Sequence, residues 1–371
     1  MQGIIDSTLR EGSQAFGVAF SLAQKKEIFT ALCSVGVEEI ELGIATGFDA
    51  DLPQLIAFCR SAASGSRLAL WSRCRLEDIT LAHSLQPDVL SLSIPVSDIH
   101  IKKKLGCTRA WVLETAGKSI AKARQLGFKV VSLGLEDATR AEQEFLHKII
   151  AAAIKAGADR IRLADTVGVA NPGKIAELVK CVKNIGPVEV GVHAHNDFGM
   201  ATANSLAALD AGADWADVTI LGLGERAGNA RHEELAGYLA LQGRRDVELR
   251  MLADLARKVA AMSGRIIEPH KPIVGENIFC CESGLHLQGL RQDTSTYEPF
   301  APDAVGARRK LRFGGKIGRK DIKNCFAEIK KQAANIDIDD IVLRVRNKAA
   351  AKGRPLKRRE LLTLVSSAFE G

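Results

Sequence analysis

Residues 156–197 read AGADRIRLADTVGVANPGKIAELVKCVKNIGPVEVGVHAHND, and this stretch decides the fold. Ala156-Gly157-Ala158 has the small, glycine-bearing composition of a helix end feeding a strand. A short β-rich run follows at 160–163. Asn171 then offers a side-chain cap, and Pro172 stands where the first helical residue needs no N–H donor, so a helix is predicted over 172–183. A second β-rich run at 188–193 completes a strand–helix–strand unit, the building block of a parallel sheet.

The same cadence recurs in both directions. Strands are predicted at 3–8, 38–43, 68–72, 89–94, 129–133, 160–163, 188–193 and 217–221. Further helices are predicted at 22–34, after Ser21 as N-cap, and at 141–155. Gly127 and Ala211-Gly212-Ala213 mark further helix ends. Eight β-then-α units imply an α/β fold, a (β/α)8 TIM barrel. An open doubly wound sheet is the alternative, but no G-x-G-x-x-G follows the first strand. The pattern stops near Gly243, a helical stretch spans 247–263, and an irregular Gly/Pro-bearing segment spans 268–275. We therefore expect a barrel catalytic domain over 1–263 and an appended, mainly helical module over 264–371 that covers the mouth of a barrel.

Bulk properties agree with a folded enzyme-sized chain. It has 371 residues, 46% hydrophobic and 26% charged, enough for a core without staples. The eight cysteines form no C-x-x-C pair, so free thiols in a reducing cytoplasm are expected. The N-terminus has no basic segment followed by an apolar run, and no stretch approaches the ~20 apolar residues of a membrane span, so no membrane partner is expected. The net charge of +7 is local: residues 301–371 carry 18 Lys+Arg against 8 Asp+Glu, residues 1–300 carry 33 against 36. This basic tail lacks interleaved aromatics, so nucleic acid is not an expected partner. A solvated helix face is the plain reading of the tail, and a phosphate-bearing ligand the other.

A barrel of this kind carries its site at the C-terminal ends of its strands. Polar residues gather there at 6–14, 136–137, 165–166, 193–197 and 224–229. His193-Ala194-His195 is the most telling, because residues i and i+2 of a strand face one side. Two imidazoles with a carboxylate nearby make a divalent-metal site.

Three runs together resemble one family. Asp6-Ser7-Thr8-Leu9-Arg10-Glu11-Gly12-x-Gln14, HAHND at 193–197 and GxGERAGN at 222–229 are similar to the motifs of the DRE-TIM metallolyases. The likeness is to their acyl-transfer branch, the homocitrate, isopropylmalate and citramalate synthases, and covers roughly residues 1–320. It implies a Claisen condensation of acetyl-CoA with an α-keto acid. It implies Glu11, His193 and His195 as ligands of a divalent ion (Mg²⁺, Mn²⁺ or Zn²⁺), with Asn229 as a fourth. Arg10 is implied as the cation that meets negative charge on the reacting oxygens. His286 in 282–289 resembles the family's SGxHxxG base, Tyr297 its partner tyrosine, and Glu136 is the alternative base. Thr166 resembles the threonine that binds the keto-acid carboxylate, and Gln14 matches a position near the metal. Asp165 is read as orienting a ligand, Asp6 as holding its loop, and Arg226 as bracing against Glu225 or its neighbours. The resemblance also implies a homodimer whose C-terminal module acts on the partner's barrel.

Val18-Ala19-Phe20-Ser21, Trp71-Ser72-Arg73 and residues 93–98 look most like homocitrate synthases of nitrogen-fixation cofactor assembly. That implies 2-oxoglutarate as acceptor, its distal carboxylate met by Arg73 or His100, with a structural ion pair the equal alternative for Arg73. Isopropylmalate, citramalate or Re-type citrate synthesis is the alternative; a chain end at 371 leaves no room for the regulatory domain of many isopropylmalate synthases. An aldol-type lyase of the hydroxymethylglutaryl-CoA kind carries a cysteine in its glycine loop, and 221–229 has none. A non-catalytic basic-tailed protein is the remaining class, and it would show no metal dependence. Three departures stand out: Ser13 where the family usually has Glu, Gln288 at an often acidic position, and Gly314-Gly315-Lys316-Ile317-Gly318 in place of Gly-Lys-His-Ser-Gly.

Overall fold

The computed structural model describes residues 3–62, 65–282, 284–328 and 336–369. The chain forms two compact units that meet at Ile266/Ile267, three residues beyond the expected boundary.

The first unit is a closed parallel barrel whose eight strands pair in sequence order. They are β1 (Gly3–Asp6), β2 (Glu39–Ile44), β3 (Arg67–Arg73), β4 (Val89–Pro95), β5 (Val130–Glu136), β6 (Arg160–Asp165), β7 (Glu189–Ala194) and β8 (Trp215–Val218). The barrel closes where Gly3 pairs with Trp215 and Asp6 with Val218. The main helices between and after them are α1 (Leu22–Val35), α2 (Leu52–Ser61), α3 (Leu76–Ser84), α4 (Arg109–Gln125), α5 (Gln143–Ala156), α6 (Pro172–Ile185), α7 (Ala201–Asp210), α8 (His232–Leu241) and α9 (Leu249–Ser263). The expected caps hold: the Ser21 hydroxyl accepts from Gln24 N, and the Asn171 side chain accepts from Lys174 N. Ile28, Phe29 and Leu32 of α1 and Ile149 and Ile150 of α5 are fully buried against the sheet, the outer apolar layer that barrels require.

Two strands end short of expectation, while β5 and β6 run two to three residues past it. β8 ends at Val218 rather than 221, because Thr8 Oγ1 accepts from Ile220 N at 2.9 Å and the Thr219 hydroxyl donates to Leu223 O at 2.7 Å. Those bonds pull the chain into a short 3-10 turn at Ile220–Gly222. β1 ends at Asp6 rather than 8, because Ser7 O accepts from the N–H groups of Arg10, Glu11 and Gly12.

The second unit has its own core. It contains α10 (Gly284–Gln292), α11 (Arg319–Glu328), α12 (Ile338–Ala351) and α13 (Arg358–Ser367), with a small sheet of β9 (Cys280–Cys281), β10 (Lys310–Phe313) and β11 (Leu356–Lys357). Phe313, Ile317, Ile322, Val345, Leu361 and Val365 are among the side chains that form that core. Part of its positive charge is balanced on the surface, in pairs such as Arg354–Glu360 and Arg319–Asp339. Among the described residues, no helix is long and apolar enough to cross a membrane. None of the eight cysteines, all of them among the described residues, is joined in a disulfide.

Candidate metal centre

The loop after β1 is built to present two charged side chains inward. The Asp6 carboxylate accepts from Thr8 N at 2.9 Å and faces His232 Nδ1 at 2.8 Å, so it holds the loop, as expected. Ser7 O then winds residues 10–12 into a tight turn. Arg10 and Glu11 emerge from it buried and ion-paired with each other. Arg10 Nε also donates to Glu41 Oε2 at 2.6 Å, so the structural ion pair and the active-site placement coincide in one residue.

His193 and His195 lie at the end of β7 and face the same side. Their Nε2 atoms are 3.2 Å apart, and Glu11 Oε1 lies 3.9 Å from His195 Nε2. One ligand atom from each of Glu11, His193 and His195 falls within 4.8 Å of the others. Asn229 is brought beside them by an antiparallel bridge to His195. Its Nδ2 donates to Leu223 O at 2.9 Å, which leaves Oδ1 without a partner. Gly224 makes room for this: a Cβ there would stand 2.1 Å from Asn229 Nδ2 and 3.5 Å from Glu11 Cγ.

The donor set fits a divalent ion. Two nitrogens each about 2.1 Å from one ion sit roughly 3.0–3.4 Å apart at right-angled to tetrahedral openings, and the observed nitrogens are 3.2 Å apart. Glu11 Oε1 and Asn229 Oδ1 are buried with no hydrogen-bond partner, which is costly unless a cation meets them. Burial and the adjacent His193 push the His195 imidazole down to about 3, leaving it neutral, the form that ligates. Burial raises the Glu11 carboxyl, but Arg10 and the two imidazoles outweigh it and hold the group below the usual carboxylate range.

Arg10, Glu11, His193 and His195 line a cavity of about 240 Å³. Gln14, Glu136 and Thr166 line it with them, alongside Trp71, Leu92, Ser93, Lys104, Gly134, Ala164, Arg162 and Glu225. Thr166 Oγ1 already accepts from Asp137 N at 2.8 Å. Glu136 meets His100 Nδ1 at 2.9 Å and Lys104 Nζ at 2.6 Å. Asp165 accepts from Thr139 Oγ1 and from the N–H groups of Val169 and Ala170, so it shapes its own loop rather than orienting a metal ligand. Arg226 braces Asp197 and Thr166 O rather than Glu225. Ser13 turns away and donates to Leu9 O.

Arg73 is not part of the lining. It is bound to Asp78 by two hydrogen bonds of 2.6 and 3.1 Å, with its side chain 42% exposed. Asp78, in the first turn of α3, captures it before it can reach inward. Lys104 is the cation the sequence reading missed. It belongs to a π-helical turn, His100–Leu105, whose three successive lysines read as a solvated face. Glu41, Arg162 and Asp217 were also missed. The signal for the first two was visible: Glu39-Ile40-Glu41 and Arg160-Ile161-Arg162 place opposite charges at i and i+2 of two strands, so both pairs point inward.

In the second unit, His286 stacks on Tyr297 with ring centroids 4.1 Å apart. Gly289 permits this, since a Cβ there would come within 2.4 Å of the Tyr297 ring. Both side chains are exposed and so accessible to a ligand. Ser283 lies outside the described residues. Lys316, at the family's histidine position, is exposed, and Ile317 beside it is fully buried in the core of this unit.

Two imidazoles and a carboxylate converging at the strand ends of a closed barrel define a (β/α)8 protein with a candidate metal centre. Comparison with known proteins narrows that class. The HMGL-like family model matches residues 2–259, and the model "Homocitrate synthase post-HMGL domain-like" matches 273–353. Homocitrate synthase of Frankia alni is 41% identical over 326 residues, 86% of this chain and 91% of that one. 2-Isopropylmalate synthase 2 of Caldanaerobacter subterraneus is 38% identical over 363 residues, 97% of this chain and 94% of that one. In fold, hydroxymethylglutaryl-CoA lyase from Pseudomonas aeruginosa superposes with a TM-score of 0.65 at 20% identity, covering 71% of this chain and 94% of that one. The chain belongs to the HMGL-like family, in the acyl-transferase branch of the DRE-TIM metallolyases.

Proposed function

We propose that the chain condenses acetyl-CoA with 2-oxoglutarate to give homocitrate and CoA. The observation that carries the choice of acid is Lys104. It lines the same cavity as the metal group but stands apart from it, beside Glu136. A dicarboxylic acceptor needs one polar end for its keto-acid group and a second cation for its distal carboxylate. The cavity offers Arg10 with the His/Glu group for the first and Lys104 for the second. The relatives named homocitrate synthase support the reading, and those named isopropylmalate or citramalate synthase supply the acceptors to test against it.

A divalent ion held by Glu11, His193, His195 and Asn229 would act as a Lewis acid on the keto oxygen. Thr166 and Gln14 orient the acid from the cavity wall. A base takes one methyl proton from acetyl-CoA, and the carbanion forms a C–C bond to the keto carbon. Arg10 meets the charge that collects on the former keto oxygen, which then takes a proton. Water hydrolyses the thioester, releasing CoA as the thiol and leaving the new carboxylate. We assign the first proton to His286, oriented by stacking on Tyr297, and place Glu136 in the alternative role. In this reading the second unit serves the barrel of a partner in a homodimer.

The test follows CoA thiol release from acetyl-CoA against 2-oxoglutarate, pyruvate, 2-oxoisovalerate and oxaloacetate, with and without chelator. The expected result is the highest kcat/KM for 2-oxoglutarate, abolished by chelator and restored by a divalent ion. A higher value for another acid overturns the substrate, and no release with any acid overturns the reaction.

A further inference from the structure

We propose that Arg162 and Asp217 are positioning residues for the candidate metal centre, fixing His193 as the tautomer with its proton on Nδ1. The inference rests on the metal reading of Glu11, His193 and His195. Neither residue belongs to the three motifs, and both project into the barrel one layer beneath the strand ends.

The geometry is specific. His193 Nδ1 lies 2.9 Å from Asp217 Oδ2. A carboxylate only accepts, so the proton of that bond sits on Nδ1 and the lone pair is left on Nε2. Nε2 is the atom that faces His195. Arg162 could disturb this, because its Nη2 is also 3.5 Å from Nδ1 and only donates. Its charge is taken up elsewhere: it is ion-paired with the same Oδ2 of Asp217, and its Nη1 donates to Glu41 Oε1 at 2.8 Å. The Asp217 carboxylate is thereby held in place to receive the imidazole N–H.

The pair is one arc of a continuous chain of opposite charges. Glu11 is paired with Arg10, Arg10 with Glu41, Glu41 with Arg162, Arg162 with Asp217, and Asp217 with His193. The chain begins at one candidate ligand and ends at another, and all six residues are buried. Three carboxylates and two guanidiniums leave one negative charge. A divalent ion reverses that to one positive charge, which matches the single carboxylate of a chelating keto acid. Metal-bound histidines commonly carry such a carboxylate on the far nitrogen, and loss of it weakens metal affinity about 10–100-fold.

One layer lower the barrel supplies its own control. Arg160 and Glu39 form a similar buried pair, with bonds of 2.8 and 3.0 Å, and touch no candidate ligand. If Arg162 and Asp217 merely held the barrel together, the two layers would behave alike.

The experiment measures Mn²⁺ affinity by electron paramagnetic resonance on the full chain, with folding checked by circular dichroism. Asp217→Asn and Arg162→Lys are expected to bind Mn²⁺ about 10–100-fold more weakly, and Glu39→Gln within about threefold of the unaltered chain. Equal affinity in all four chains overturns the positioning role while the metal reading stands. Equal weakening in Glu39→Gln also overturns it, since that marks a general effect of core charge. No Mn²⁺ binding by the unaltered chain overturns the metal reading and this inference together. A second measurement reads the unaltered chain itself: imidazole ¹⁵N shifts, with His193 assigned by the signal lost in His193→Gln. The Nδ1–H pattern is expected, and an Nε2–H pattern overturns the proposal.

Discussion

Lys104→Ala separates the acid-reading role from general catalysis. Lys104 Nζ is 2.6 Å from Glu136 Oε1, and its side chain is 55% exposed. Two unit charges about 4 Å apart interact by roughly 4 kcal/mol at the effective dielectric of a protein surface. Exposure and competition from Glu136 reduce this to about 1–2 kcal/mol, which corresponds to roughly 5–30-fold in kcat/KM. The loss is expected with 2-oxoglutarate and not with pyruvate or 2-oxoisovalerate, which lack a distal carboxylate. The assay is CoA release at several concentrations of each acid, with the loss appearing mainly in KM. Arg73→Ala, which breaks only a half-buried pair with Asp78 outside the cavity lining, is expected to stay within about twofold for every acid. An equal loss with all acids, or a larger loss in Arg73→Ala, refutes the assignment.

Three further outcomes follow from the same geometry. A divalent ion at a hundredfold excess over its Kd should stabilise the folded chain by about 2.7 kcal/mol, read as a rise in Tm by calorimetry; no rise counts against the centre. Without metal, stability should fall on acidification. The His195 imidazole is held down to about 3 from an ordinary 6.5, so between those values the unfolded chain binds the extra proton and stability rises with pH. The depressed Glu11 carboxyl acts in the same direction below its ordinary 4.5, and denaturant midpoints from pH 7 to 3.5 check both, a flat profile being the contrary result. Gly224→Ala should lose most activity and Mn²⁺ affinity at a stability cost of about 1–3 kcal/mol, because its Cβ would displace Asn229; retained affinity would remove Asn229 from the ligand set.

How much was readable from sequence depended on whether a signal was local. Alternating strand and helix patterns located the barrel, since each depends on neighbours in sequence, as the caps at Ser21 and Asn171 show. His193 and His195 were readable because two residues on one strand face share a direction by geometry alone. The end of β8 was not, because it is set by Thr8, more than two hundred residues away. Arg73 shows a related limit. Its position at a strand end left a substrate carboxylate and a structural ion pair equally open, and a carboxylate five residues on captures it. Lys104 was hidden among charges that look solvated, and only the packing of β4 and β5 brings it to Glu136.

The two charged layers inside the barrel invite different explanations for what looks like one feature. A buried ion pair is rarely retained for stability, since well-packed apolar residues often do as well or better. The lower layer, Arg160 with Glu39, makes bidentate bonds and stacks its guanidinium 4.4 Å from the Trp215 ring, closing the N-terminal end of the barrel near where Arg67 also stacks. An apolar plug could fill that place. The upper layer cannot be replaced so simply. Removing Arg162 leaves Glu41 and Asp217 buried with one cation fewer, and an apolar residue at 217 leaves His193 Nδ1 facing only a donor. The upper charges are therefore tied to the orientation of a ligand, and the lower ones to closure of the sheet. That difference makes metal affinity, rather than melting temperature, the measurement that tells the layers apart.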